Sequence, residues 1–196
     1  MNDKDKELLA GFHHTISEQL NSRLSESPKF FGLLVVVSTG YGYVLSSHAL
    51  NCNKELFVSA SLLSYGAVLW ASWYLAALSY GFRFLQNIQH CVEHALKWNP
   101  RYVPKEKEGG ERTSWFWTLP SIYHPHAVGL GLVLFLICGI FAHHAEHWFW
   151  VPCCVWLLSA SLLAVGWGLM CWAYRYYLHK FNDKRMPPAE CDIYSA

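Results

Sequence analysis

The sequence predicts an all-α, polytopic integral membrane protein with four transmembrane helices, and three observations lead there. Residues 30–53, 56–82, 113–145 and 147–174 contain no Asp, Glu, Lys or Arg. Each window can supply the roughly 20 residues that cross a ~30 Å hydrocarbon layer as a helix. Aromatic side chains make up 16% of the 196 residues, ten of them Trp, while charged ones make up only 15%. That balance is foreign to a water-soluble globule and ordinary for a bundle facing lipid. Fourteen of the fifteen Lys and Arg lie in the N-terminal segment, the central loop and the tail, leaving Lys54 alone in the connections between them. The positive-inside rule therefore reads both termini as cytoplasmic, N-in and C-in.

Residues 1–29 read as a cytoplasmic amphipathic helix, because Leu8, Leu9, Phe12, Ile16, Leu20 and Leu24 recur near helical spacing among charged neighbours. Pro28 is expected to end it, since proline disfavours helical geometry in the residue before it. Residues 30–98 form a hairpin of spans 1 and 2 joined by a short outer turn. Only Gly66 and Gly81 interrupt the second helix before Asn99-Pro100. A continuous helix over 57–98 would be ~63 Å long at 1.5 Å per residue, so its end projects into the cytoplasm. There Phe84, Leu85, Ile88, Cys91, Val92, Ala95 and Leu96 need an apolar partner, and the N-terminal helix is the one at hand. Residues 99–125 are a Pro/Gly/charge linker and an interfacial re-entry carrying Trp115 and Trp117, with Pro125 suited to a first helical turn. Residues 126–175 make the hairpin of spans 3 and 4, and 176–196 a polar cytoplasmic tail. The N-terminus has no apolar run of the secretory type, so the first span is expected to direct insertion.

The densest group of chemically versatile residues is His143-His144-x-Glu146-His147 at the expected outer end of span 3. His143 and His147 are one helical turn apart, Glu146 could join or orient them, and His48 closes span 1 on the same side. Imidazole pairs of this kind suit zinc, copper or haem iron. The plainer reading is a set of amphipathic rings decorating a helix end beside Trp148 and Trp150; a pH-sensing role is a third. A second pair, His90 and His94 with Glu93 between them, lies on the inner side. Together the two sets echo the His-x-x-x-His and His-His-x-x-His spacings of membrane di-iron hydroxylases. Those enzymes gather their histidines on one face, whereas these two sets stand a bilayer apart. Cys52, Cys153 and Cys154 cluster at outer span ends, but the chain lacks any Cys-x-x-Cys of the disulfide-forming membrane enzymes.

Net charge of +1 without a basic stripe excludes a nucleic-acid partner. Charge-free spans exclude a carboxylate proton relay, and no phosphate-binding glycine loop or serine-nucleophile motif is present. Small residues at Gly40-x-Gly42, Ser72-x-x-x-Ala76, Gly129-x-Gly131 and Gly166-x-Gly168 permit close helix approach. The reading is a non-enzymatic small integral membrane protein of the plasma or bacterial inner membrane. It works in lipid as an oligomeric scaffold or as an accessory subunit with other membrane subunits. One alternative is a homo-oligomeric channel lined by hydroxyls such as Ser38, Thr39, Ser64, Ser72 and Ser159. The other is a haem- or metal-binding redox protein using the outer histidines.

Overall fold

The computed structural model describes residues 3–46, 53–98, 123–148 and 152–182. They form four helices: α1 (Asp3–Ser46), α2 (Lys54–Ala95), α3 (His124–Glu146) and α4 (Pro152–Asn182). No strand occurs among the described residues. Three of the helices, α2, α3 and α4, are long and apolar enough to cross a membrane.

The four-span expectation is thereby corrected to three among the described residues. The helix that drops out is α1. Its described apolar part, 30–46, amounts to ~25 Å at 1.5 Å per residue, short of the ~30 Å hydrocarbon core. It is also diluted by the polar and glycine run Ser38-Thr39-Gly40-Tyr41-Gly42-Tyr43. The rest of the expected first span, and the outer turn, fall in 47–52, outside the described residues. So do the linker and re-entry at 99–122 and the tail beyond 182.

A second correction concerns Pro28, which sits inside α1 rather than ending an earlier helix. Proline forfeits one backbone hydrogen bond and strains the turn before it. Tertiary packing on either side of Pro28 outweighs that local cost. Buried α1 residues are His13, Ile16 and Leu20 before it and Phe30, Leu34 and Tyr41 after it, all separated by threes, fours or their sums. This is the 3.5-residue seam of helices packed lengthwise. Nearby, Ser25 Oγ donates to the Ser22 carbonyl at 2.6 Å, the kind of back-bonding that accompanies bent helices.

Tertiary contacts divide the chain into two compact units. The first takes its described residues from 3–27, 77–98 and 175–182. It contains thirteen charged residues among those described. In it α1 runs antiparallel to α2: His13 meets Glu93, and the Arg23 guanidinium lies over Gly81. Ile16, Leu20, Phe82, Leu85, Cys91 and Val92 are buried here. On the α4 segment, Tyr177 packs its ring on Tyr80.

The second unit comprises the described parts of 28–76 and 121–174 and has four charged residues, Lys29, Lys54, Glu55 and Glu146. Asn53 caps α2 by accepting hydrogen bonds from the Glu55 and Leu56 amides at 3.1 and 3.2 Å. Pro125 occupies the first turn of α3, where its missing N–H costs nothing. Ala127, Leu130, Leu134, Ile137, Phe141 and Ala145 form the buried stripe of α3. Glycines allow the helices to close in: a Cβ on Gly166 would come within 3.0 Å of Leu134 and the Tyr65 hydroxyl, and one on Gly131 within 3.1 Å of Trp167. The Tyr65 hydroxyl donates to the Leu162 carbonyl at 2.8 Å, and Tyr41 and Ser61 share a buried hydroxyl pair at 3.1 Å. Outward-facing Leu132, Phe135, Leu157, Leu158, Val165, Trp167 and Trp172 are exposed. A face this apolar suits lipid, not water.

Candidate functional site

The histidine group expected on the outer side is built on the last turn of α3 and the two residues after it. His143 lies 5.5 Å from His144 and 5.7 Å from His147, ring centre to ring centre, each pair nearly perpendicular. His144 tilts against Phe57 at 5.6 Å. Phe57 in turn stacks on Phe141 and receives Trp148 edge-on at 5.1 Å, and with Ala145 and Val155 they make a small apolar core. Glu146 points elsewhere, its carboxylate accepting a hydrogen bond from the Trp156 indole at 3.2 Å. Lys54 donates to the Trp148 carbonyl at 3.2 Å, placing a cation at the carbonyl end of α3, where it complements the helix dipole.

His48 lies outside the described residues. Among those described, no group of three or more His, Cys, Asp or Glu side chains is placed to hold a metal ion. The expectation of zinc, copper or haem iron at the histidine cluster is corrected by that finding among the described residues; the ligand set His143, His147, Glu146 and His48 includes a residue outside them. The physical reason is that Glu146 is turned toward the Trp156 indole, so His143 and His147 remain a pair with no third ligand beside them among the described residues. Cys153 and Cys154 are exposed at the start of α4, and Cys52 is outside the described residues.

The polar constellation that the fold does assemble is in the first unit, and the sequence alone concealed it. Glu93 is 1% exposed and His13 7%, deep in the α1–α2 seam. His13 Nε2 stands 3.0 Å from Glu93 Oε1. The Gln89 amide nitrogen lies 3.3 Å from the same carboxylate oxygen, 3.4 Å from His13 Nε2 and 3.5 Å from Ser17 Oγ. The Glu93 carboxylate therefore accepts from Gln89 and faces the imidazole directly. His13 Nε2 lies between a donor and an acceptor, so the proton it carries decides which contact is made.

Local structure closes the site. Helix α2 ends in a Schellman cap: the Lys97 amide donates to the His94 carbonyl at 3.0 Å and the Trp98 amide to the Glu93 carbonyl at 2.9 Å. Lys97 adopts φ 57°, the left-handed conformation this cap requires. The reversal folds Trp98 back so that its ring meets His13 edge-on at 5.1 Å.

Sequence reasoning placed Glu93 with His90 and His94, its neighbours along one helix. The structure pairs it instead with His13, eighty residues away. The available signal was phase: His13, Ile16 and Leu20 follow one another at i, i+3 and i+7, which puts a histidine on the buried stripe. Leu8 and Phe12, counted on the apolar face, are exposed.

Comparison with protein-family models, with curated proteins and with solved structures returns no match, so the functional reading rests on the residues themselves.

Proposed function

We propose that this helical membrane protein is a non-enzymatic subunit that self-associates in the bilayer, as an oligomeric scaffold or as an accessory part of a larger membrane complex. One observation carries the reading. Flanking its buried seam, α1 presents a second stripe at the same spacing, Leu33, Val36, Gly40 and Tyr43, exposed along its length. No atom lies within 4 Å of where a Cβ on Gly40 would sit. The apolar part of α1 is short for a membrane span, and a helix face with an open glycine is suited to close approach by another helix. A second copy of the chain is the partner that supplies a matching stripe by symmetry.

Two further features agree. The buried His13–Glu93 pair is made within the chain, which suits a structural role. Ser72 and Ser159, candidates for lining a pore, are buried inside the protein, which counts against the channel alternative. The positive-inside rule, applied to the basic central loop and tail, supports a cytoplasmic location for both. The N-terminal segment shares the first unit with the end of α2, which supports the same side for it. A plasma or bacterial inner membrane is the setting proposed.

The test is mass in a mild detergent, by size exclusion with light scattering, for the native chain and for Gly40→Leu. A discrete oligomer that shifts toward monomer in the variant supports the proposal. A native chain that is monomeric at all concentrations and co-purifies with no other subunit sinks it.

A further inference from the structure

We infer that Arg23 and Tyr80 form a binding site for the phosphate group of an anionic phospholipid, at the membrane end of the first unit. Helix α2 meets its two neighbours there at adjacent positions: the Arg23 guanidinium of α1 lies over Gly81, and Tyr177 of α4 packs its ring on Tyr80. Successive positions on a helix diverge by about 100°, and Phe84, one turn on, falls between these two. Arg23, Tyr80, Gly81 and Phe84 are all half-buried. The strip of α2 between α1 and α4 is therefore a shallow, partly open groove, with a cation on one wall and a phenol on the other.

Each wall suits a phosphate for its own reason. The guanidinium is a planar fork of donors that matches phosphate oxygens two at a time. Gly81 makes room for it, since a Cβ there would stand 2.7 Å from Nη1 and 2.9 Å from Cζ of Arg23. Leu20, one turn earlier and buried, fixes the face of α1 that delivers the arginine. Tyr80, braced by Tyr177, brings a hydroxyl donor to the opposite wall. The level along the chain selects lipid as the source of the phosphate. The uncharged run of α2 ends at Phe82, next to Gly81, and that of α4 ends at Tyr174, three residues before Tyr177. Tyrosine gathers where hydrocarbon gives way to headgroups, and basic pockets between helices on the cytoplasmic side hold anionic headgroups. Of the other charged groups in this part of the unit, Glu26 and Arg83 each already have an interaction within the chain. Arg175 is exposed and, two residues before Tyr177, points to a different side of α4.

The test is binding of radiolabelled phosphatidic acid to the full chain in mild detergent, read by scintillation proximity. Unlabelled phosphatidic acid, phosphatidylcholine and inorganic phosphate serve as competitors. The site predicts saturable binding that phosphatidic acid displaces and the other two displace far less well. Arg23→Gln should weaken binding roughly tenfold or more, the worth of a hydrogen bond to a charged group. Arg23→Lys keeps the charge without the fork and should lose less. Gly81→Ala moves the guanidinium without removing it, because its Cβ meets only the far end of a flexible side chain. It should lose part of the affinity, and it keeps the readout should Arg23→Gln not fold. Arg175→Gln removes an exposed cation outside the groove, whose charge is screened, and should cost less than any change at Arg23. Equal losses from Arg175→Gln and Arg23→Gln would assign the binding to diffuse surface charge and overturn the inference. So would unaltered affinity in both Arg23→Gln and Gly81→Ala. Inorganic phosphate competing as well as phosphatidic acid would overturn it too, by making the free anion the ligand.

Discussion

The two units of the chain handle polarity in opposite ways. In the second unit the buried polar side chains are hydroxyls and the imidazole of His126, and single hydrogen bonds such as Tyr41 with Ser61 and Tyr65 with the Leu162 carbonyl tie helices together. Cohesion there comes from rings and close backbone approach: Phe57 among Phe141, His144 and Trp148, and Gly166 beneath Leu134 and Tyr65. The first unit instead buries a full acid–base pair at 3.0 Å. The contrast teaches that the same helix can follow one packing rule and two chemistries. The seam of α1 keeps its three-and-four spacing from His13 to Tyr41. What sits on it changes from titratable to apolar.

The largest expected effect breaks the first unit. His13→Ala removes the imidazole from the buried Glu93 carboxylate; breaking a buried pair of this kind from one side costs about 4 kcal/mol. The double variant His13→Leu/Glu93→Leu should restore most of that loss. Unfolding in mixed micelles, analysed as a double-mutant cycle, measures the coupling. If the two single losses simply add, the pair is not the element that closes this unit.

The matching change in the second unit is Phe57→Ala, which empties the contact between α2 and the end of α3. Deleting a buried phenylalanine costs 3–5 kcal/mol in water-soluble cores. Here about 3 kcal/mol is expected, because the unfolded reference within lipid still shelters apolar surface. His144 should become more accessible at the same time, read as faster modification by diethylpyrocarbonate. An unchanged rate would mean that Phe57 does not cover that imidazole.

A finer comparison uses two glycines two residues apart on α4. Gly166→Ala forces a Cβ to within 3.0 Å of Leu134 and the Tyr65 hydroxyl and should destabilise by about 1 kcal/mol, overpacking outweighing the helix-propensity gain. Gly168→Ala meets nothing within 4 Å and should be neutral or slightly stabilising. Equal thermal shifts for the two would show that helix packing at Gly166 is looser than its distances imply.

Much of the architecture was legible in the sequence, for reasons that also mark the limit. α3 and α4 follow from long uncharged runs, and no competing pattern exists for them. The continuity of α2 through Gly66 and Gly81 was legible because a lone glycine weakens a helix without breaking it. α1 was misread at both ends of its apolar part: Pro28 is a local signal overruled by packing on either side, and uncharged residues 30–46 are not by themselves a span. His143, His144 and His147 were legible as a cluster, but spacing reports which side chains can meet and not that Glu146 turns away to Trp156. His13 with Glu93 was the hardest, because nothing short of the α1–α2 register brings residues eighty positions apart together.

That register ends at the cap on α2, where the smallest expected effect lies. Lys97 holds φ 57°, a conformation that costs an ordinary L-residue about 1 kcal/mol and glycine almost nothing. Lys97→Gly relieves this strain, although glycine's freer unfolded chain returns part of the gain. A net stabilisation of about 0.5 kcal/mol is expected, seen as a small rise in the unfolding midpoint of the first unit. The same cap folds Trp98 onto His13, so an unstrained reversal should also slow maleimide labelling of the buried Cys91. Lys97→Val tests the sign from the other side, because a β-branched residue tolerates this backbone worst. It should lower the midpoint and speed the labelling. If both variants leave Cys91 unchanged, the reversal at Lys97 places Trp98 without contributing to the closure of the seam, and the closure rests on the side chains buried along it.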